Sequence, residues 1–266
     1  MTPADRAHFH TFGFVVLRGA FDPGPLSAEL DRALRDGVSV RFDVAGGAIG
    51  ARYVPMMAEA HTPVSLSLLD QLAAPAAALL GAPVLPSRAK GVLYHGAAGW
   101  HVDSAQDVAS VGLAAYLEPL DASNGALRVV PGSHRPELGA AVARFLADHP
   151  DATLPGLPIP TEPGDIIAFD EHLYHASWGG RDRRQWRIDY VADPVDRTDV
   201  TEAALRAWYE GQYAPDWDGG YDVDRYPSYG EVWRASGRPC LARLEALGAH
   251  AAAAAEEAYA RSRRQP

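Results

Sequence analysis

A histidine and a carboxylate two residues apart, His101 and Asp103, are the strongest chemical signal in the chain. On a strand, residues two apart project from the same face, so the two side chains could chelate one metal ion. A third nitrogen ligand would complete a two-histidine, one-carboxylate facial triad, which binds Fe(II) and leaves three coordination positions open. His175, which follows a turn and a short apolar run, is the best third ligand. His172 competes with it, and His95 lies six residues before His101.

The middle of the chain has a sequence pattern typical of β-strands that could hold such ligands. Short apolar runs alternate there with Gly, Pro, Asn and Asp. This pattern predicts a mainly β fold with flanking helices, in the form of a double-sheet jelly roll or barrel. The predicted strands cover residues 91–94, 111–117, 126–130, 166–169 and 186–191.

A single domain spanning 1–266 is predicted, because this length is compatible with one all-β core plus additions. Its predicted parts are a helical N-terminal part of about 1–85, a barrel core of about 86–195 and a C-terminal extension of about 196–266. Within the first part, 46–57 is predicted to be a loop and 65–80 a helix. The extension carries an aromatic-rich segment from Trp208 to Trp233, which suits a lid, a substrate pocket or a dimer contact.

Composition excludes several classes of function. The one cysteine, Cys240, cannot form an intrachain disulfide and leaves too few thiolates for a zinc-thiolate or iron–sulfur site. The net charge of −10 disfavours nucleic acid and anionic membranes as partners. The N-terminus lacks a signal-peptide pattern, and no stretch is expected to span a membrane. We therefore expect a cytoplasmic monomer or homodimer that acts on a small molecule.

Four motifs, taken in order, carry a resemblance to a known family. They are WHVD at 100–103, GALRVVPGSH at 125–134, PGDIIAFD at 163–170 and HAS at 175–177. Together with the opening HTFGFVVLR at 10–18, they resemble the phytanoyl-CoA dioxygenase family of Fe(II)- and 2-oxoglutarate-dependent oxygenases, over roughly residues 5–191.

The resemblance implies a fold, a ligand set and a reaction. The fold is a cupin-like double-stranded β-helix, with Fe(II) bound by His101, Asp103 and His175, and with 2-oxoglutarate and O2 as cosubstrates. His134 would then belong to a turn. In this family, 2-oxoglutarate is decarboxylated to succinate and CO2 while the substrate is oxidised.

In this family, an arginine shortly after the third metal ligand binds the carboxylate of 2-oxoglutarate that lies away from the iron, because a guanidinium pairs bidentately with a carboxylate. The candidates here are Arg181, Arg183, Arg184 and Arg187. If the apolar side chains at 186, 188 and 190 face the barrel interior, alternation places Arg184 inside and Arg187 outside. Arg184 is therefore the preferred cosubstrate ligand, followed by Arg187 and Arg183.

Three other residues could contact the cosubstrate. Ser177 matches a family position near 2-oxoglutarate, two residues after His175. Tyr116 and Lys90 lie on or beside predicted strands that flank the first ligands, although a tyrosine there also suits the core.

The retained carboxylate favours hydroxylation, because related halogenases replace Asp103 with a small residue that leaves room for chloride. Desaturation, ring formation and epoxidation would use the same ligands. Two alternatives remain open: a cupin-like metal enzyme that does not use 2-oxoglutarate, such as an isomerase or another dioxygenase, and a non-catalytic family member.

Overall fold

The computed structural model describes residues 1–36, 38–44, 47–150, 154–194, 196–213 and 219–263. Its helices within these ranges are α1 (Pro3–Phe12), α2 (Pro23–Asp36), α3 (Pro63–Leu80), α4 (Pro136–Asp148), α5 (Asp199–Tyr213), α6 (Glu231–Arg234), α7 (Leu241–Ala246) and α8 (Ala249–Arg263). Its strands are β1 (Phe14–Leu17), β2 (Val38–Val44), β3 (Gly47–Pro55), β4 (Val84–Pro86), β5 (Lys90–Tyr94), β6 (Ala98–His101), β7 (Ser110–Tyr116), β8 (Arg128–Val129), β9 (Leu157–Pro158), β10 (Ile166–Asp170), β11 (His175–Ser177) and β12 (Arg183–Ala192).

The strands form two antiparallel sheets. The larger one has the order β1-β10-β7-β12-β5-β3-β2, with β4 paired to the end of β12, and the smaller one has the order β6-β11-β8-β9. From β5 to β12 the chain passes back and forth between the two sheets, with β8 and β9 together in the smaller one, as in a jelly roll. The predicted mainly β fold with flanking helices is confirmed.

The N-terminal part is less helical than predicted, because it also contributes strands. Residues 47–55, expected to be a loop, form β3, which pairs with β2 and with β5 of the larger sheet. Gly46 lies outside the described residues. The glycines of this region suggested a loop, but the hydrogen bonds offered by β5 favour an extended conformation that local sequence does not reveal.

Both faces of β12 are buried, and the contacts of one face with α3 decide which side chains enter the barrel. On one face, the indole of Trp186 donates a hydrogen bond to the hydroxyl of Ser65 (2.7 Å), and the Tyr190 hydroxyl donates to the carbonyl of Leu69. These contacts place the apolar set of β12 against α3, outside the larger sheet. Since side chains alternate along a strand, the polar set at 183, 185, 187 and 189 faces the smaller sheet.

Helix α3 is the one described helix whose length and apolar composition would allow it to cross a membrane, contrary to the expectation that no stretch would. It packs instead on β4, β7 and β12, with its leucines in the main hydrophobic core. An apolar helix of this kind is typical of a core element covered by a sheet.

The C-terminal extension packs on the larger sheet through its aromatic side chains. The tyrosines and tryptophans of the segment are buried, apart from Trp217, which lies outside the described residues: Trp208, Tyr209, Tyr213, Tyr221, Tyr226, Tyr229 and Trp233. Helix α8 is fixed by a buried ion pair between Arg88 and Glu256 (2.8 Å). Because the described aromatic side chains are in the core, they do not form a mobile lid.

Candidate metal centre

Two neighbouring strands of the smaller sheet bring the three predicted metal ligands together. His101 ends β6, and His175 begins β11 directly opposite it in the antiparallel register. Asp103 follows β6, and its backbone N–H donates to the carbonyl of Glu171 (2.8 Å), which holds the chain after β6 against the end of β10. One ligand atom from each of His101, Asp103 and His175 lies within 4.8 Å of the other two.

Both imidazoles are oriented by backbone carbonyls. Nδ1 of His101 lies 2.7 Å from the carbonyl oxygen of Gly99, and Nδ1 of His175 lies 2.9 Å from that of Leu173. A proton on each Nδ1 leaves Nε2 free to ligate. The two Nε2 atoms face the Asp103 carboxylate at 3.5 Å and 3.4 Å. This donor set fits a divalent iron, which accepts imidazole nitrogen and carboxylate oxygen.

The electrostatics keep Asp103 and His175 in their metal-binding protonation states, whereas at His101 burial is outweighed by the contacts with Asp103 and Gly99, which raise the pKa of the imidazole. Burial by itself would raise the pKa of Asp103, but Arg187 and the two imidazoles hold that pKa well below its usual range. Burial lowers the pKa of His175 to about 4. At neutral pH the site therefore offers an ionised carboxylate and, at His175, a neutral imidazole.

A buried cluster of charges surrounds Arg187 next to the ligands. Its guanidinium donates to Asp103 Oδ2 (2.8 Å), to Glu171 Oε1 (3.2 Å) and to Asp189 Oδ1 (2.5 Å). Burial and the nearby Asp189 carboxylate raise the pKa of Glu171 to about 7. Lys90 neutralises Asp189 from the other side, with its ammonium 3.0 Å from Oδ2.

Sequence reasoning missed Glu171 and Asp189. Both are acidic residues at positions that the strand pattern marks as buried, directly after the IIAFD run and within the WRIDYV run. A charge inside a buried strand is rare unless it is paired, so that signal was available.

The expected orientation of Arg184 is wrong, and so is that of Arg187. Arg184 points out of the barrel, where it forms ion pairs with Glu118 (2.5 Å) and Asp31 (2.6 Å) and is partly exposed. The alternation itself holds, but the apolar face of β12 packs against α3 rather than into the barrel. Helices cover this sheet from outside, so an apolar face does not identify the interior.

Arg183 occupies the interior face at the start of β12. It is 2% exposed, and its Nη1 and Nη2 donate to the carbonyl oxygens of Gly125 (2.8 Å) and Gly96 (2.6 Å). Its Nε has no hydrogen-bond partner among the described residues, and the hydrogen bonds described for its guanidinium go to backbone carbonyls rather than to a carboxylate. The interior thus holds a guanidinium with unused capacity for an anion.

The other predicted cosubstrate contacts also lie in or beside the barrel. Tyr116 is buried opposite Gln185 in the register. Burial raises the pKa of its hydroxyl, and the nearby charge of Arg183 opposes that rise. Ser177 is buried on β11, two residues beyond His175. Lys90 lies opposite Arg187 in the register, and its ammonium is already paired with the carboxylate of Asp189.

The competing histidines lie apart from the triad. His172 bonds to Asp170 (2.9 Å) and to the carbonyl of Gln106 (2.8 Å). His95 pairs with Asp182 at the surface (2.7 Å), and His134 Nε2 lies 3.3 Å from the carbonyl of His10. Each has a structural partner of its own.

Residues 9–185 match the family model described as phytanoyl-CoA dioxygenase, which covers the three ligands and the start of β12. The chain belongs to the phytanoyl-CoA dioxygenase family. Membership makes Fe(II) the metal of this site and 2-oxoglutarate and O2 its cosubstrates. The family is one of 2-oxoglutarate-dependent non-haem iron enzymes. A search of curated proteins found no significant match.

Several solved structures share the fold of this chain. AviO1 from Streptomyces viridochromogenes Tue57 is 24% identical, with a TM-score of 0.55, over 73% of this chain and 96% of that chain. The epimerase SnoN, in complex with Fe3+, alpha ketoglutarate and nogalamycin RO, is 20% identical (TM-score 0.54) over 71% and 82%. HygX from Streptomyces hygroscopicus, with nickel, 2-oxoglutarate and hygromycin B bound, is 19% identical (TM-score 0.56) over 73% and 88%. At these identities the likeness establishes the fold.

Proposed function

We propose that this dioxygenase-family protein hydroxylates a small organic molecule, with conversion of 2-oxoglutarate and O2 to succinate and CO2. The observation that carries the proposal is the intact triad of His101, Asp103 and His175, with free imidazole nitrogens directed at an ionised carboxylate. Bound Fe(II) supplies the oxidative decarboxylation of 2-oxoglutarate and the oxidation of the substrate. The carboxylate at 103 favours hydroxylation over halogenation, since it fills the position that chloride would need.

Arg183 is the residue we assign to the far carboxylate of 2-oxoglutarate, in place of Arg184. The assignment is supported by its interior position, its burial and its lack of a described carboxylate partner. Arg187 is a poorer candidate, because Asp103, Glu171 and Asp189 already neutralise its guanidinium. Tyr116 and Ser177 line the same interior and would donate hydroxyl hydrogen bonds to the cosubstrate.

We further propose that the substrate is a natural-product or amino-acid-like intermediate. The similar structures contain nogalamycin RO and hygromycin B, which are small organic molecules. The acidic net charge of −10 supports a small-molecule substrate rather than nucleic acid or a membrane as partner. A cytoplasmic monomer or homodimer remains part of the proposal.

The direct test is succinate release by the Fe(II)-loaded protein supplied with 2-oxoglutarate and O2, across a panel of small natural products and amino acids. We expect substrate-dependent succinate formation and a product heavier by one oxygen atom that is labelled when isotopically heavy O2 is used. A product of unchanged mass with inverted stereochemistry would indicate epimerisation, the activity named for SnoN, instead of hydroxylation. Substrate turnover without 2-oxoglutarate would favour the cupin-like alternative, and no turnover across the panel would favour a non-catalytic member.

A further inference from the structure

The C-terminal extension reaches the metal centre through one indole N–H. Trp208 lies on α5, beyond the family-matched residues 9–185, and is buried. Its Nε1 donates a hydrogen bond of 2.8 Å to Oε2 of Glu171, a carboxylate that is 0% exposed. The extension thereby supplies a hydrogen bond to a buried carboxyl group beside the metal ligands.

Glu171 in turn holds the carboxylate ligand at two points. Its backbone carbonyl accepts hydrogen bonds from the N–H groups of Asp103 (2.8 Å) and Ser104 (3.2 Å). Its other side-chain oxygen, Oε1, accepts from Arg187 Nη2, while Arg187 Nη1 donates to Asp103 Oδ2 (2.8 Å). The backbone and the side chain of Asp103 are therefore both fixed by contacts that converge on Glu171.

We propose that Trp208 is a positioning residue for the metal centre: it fixes Glu171, and through Glu171 and Arg187 it fixes the metal-binding Asp103. A buried carboxylate oxygen that loses a hydrogen-bond donor must be compensated by others. Besides Trp208, the described side chains that donate to Glu171 are the guanidinium of Arg187 and the hydroxyl of Ser110. Rotation of the Glu171 carboxylate toward either donor would change how Arg187 is held against Asp103. The proposal deepens the iron site on which the proposed function rests, and it gives the extension a role at that site.

The chain offers a matched control for this role. Trp233 belongs to the same extension and is also fully buried, but its indole nitrogen has no hydrogen-bond partner among the described residues. Trp208→Phe and Trp233→Phe remove the same chemical group from equally buried sites. The Trp208 change alone takes away a hydrogen bond to the metal centre.

The test is anaerobic calorimetric titration of the full chain with Fe(II), together with the visible spectrum of the Co(II)-loaded protein. We expect Trp208→Phe to weaken Fe(II) binding by about tenfold, the lower end of the usual effect of outer-shell partners, and to shift the Co(II) bands. Trp233→Phe should leave affinity and bands at wild-type values, whatever it does to the free energy of unfolding. Combining Trp208→Phe with Glu171→Ala, which removes both carboxylate oxygens, should weaken binding no more than Glu171→Ala alone, because Trp208 acts on Asp103 through that carboxylate.

Wild-type affinity and spectrum in Trp208→Phe would overturn the proposal. So would an equal loss of affinity in Trp233→Phe, which would indicate general loosening of the extension, or additive losses in the double variant. These readouts need no turnover. If the wild-type protein binds Fe(II) but releases no succinate, the proposed hydroxylation is wrong. The role of Trp208 is then still tested by the Fe(II) affinity and Co(II) spectrum of its variants.

Discussion

Arg183 and Arg184 are sequence neighbours that lie on opposite faces of β12. Arg183 is buried inside the barrel and bonds to two backbone carbonyls, whereas Arg184 pairs with Glu118 and Asp31 at the outer surface. One guanidinium is left with capacity for an anion, and the other is already neutralised. The pair therefore offers two identical substitutions, one residue apart, with opposite expected effects.

Arg183→Met should raise the KM for 2-oxoglutarate by about 30-fold. A charge-assisted hydrogen bond is worth about 2 kcal/mol, which corresponds to that ratio. The measurement is the dependence of succinate release on 2-oxoglutarate concentration. Arg184→Met is the control and should change the KM less than about twofold, since surface ion pairs contribute about 0–1 kcal/mol. The reverse order of effects would return the cosubstrate role to Arg184.

His175→Ala should abolish Fe(II) binding and succinate formation, because two ligands do not complete a facial triad. Binding is measured by anaerobic titration of the purified variant. His134→Ala serves as the control, because His134 contacts the carbonyl of His10 away from the triad. Retained iron binding in His175→Ala, with loss in His172→Ala, would make His172 the third ligand.

Arg88→Met should destabilise the protein by about 3–5 kcal/mol, because it leaves the Glu256 carboxylate buried without its cation. The free energy of unfolding from urea denaturation measures this cost. Arg225→Met is the comparison, because its ion pair with Asp36 is largely exposed, and we expect a cost of about 0–1 kcal/mol. Equal costs for the two variants would mean that the buried pair does not anchor α8.

His172 should stabilise the protein at neutral pH and lose that effect in alkali. Its hydrogen bond with Asp170 raises its pKa from 6.5 to about 9, so the folded state favours the protonated imidazole. The stabilisation is fully present below pH 6.5 and is lost as the pH rises through about 9. The difference in unfolding free energy between the metal-free wild type and His172→Gln should therefore shrink between pH 7 and pH 9.5. A constant difference over this range would rule out the proton-linked contribution.

Motif spacing predicted His101 and Asp103 as ligands and indicated the family, and the resemblance to that family then implied His175, rather than His172, as the third ligand. His101 and Asp103 are two apart, and His175 follows a turn and a strand, so a facial triad could be inferred before any contact was known. The short apolar runs between turn residues likewise predicted the jelly roll. These features are local, and local sequence encodes them directly.

The sequence did not determine which face of β12 points inward. Trp186 and Tyr190 satisfy the pattern of a core face, but the core they join lies outside the sheet under α3, and the interior face carries Arg183 and Arg187. Both faces of β12 are buried, and the polar one is the face inside the barrel, so side-chain polarity does not mark which face is outside and only the packing of α3 on the apolar face decides it.

Tertiary structure alone also brought Trp208 to Glu171, residues 37 positions apart in the chain. Nothing in the spacing of the extension predicts that one of its indoles donates to a carboxylate beside the metal ligands. Ligand identity was thus set by residue type and spacing along the chain. The partners that hold those ligands were set by how distant segments pack, because hydrogen bonds between distant segments depend on the whole fold.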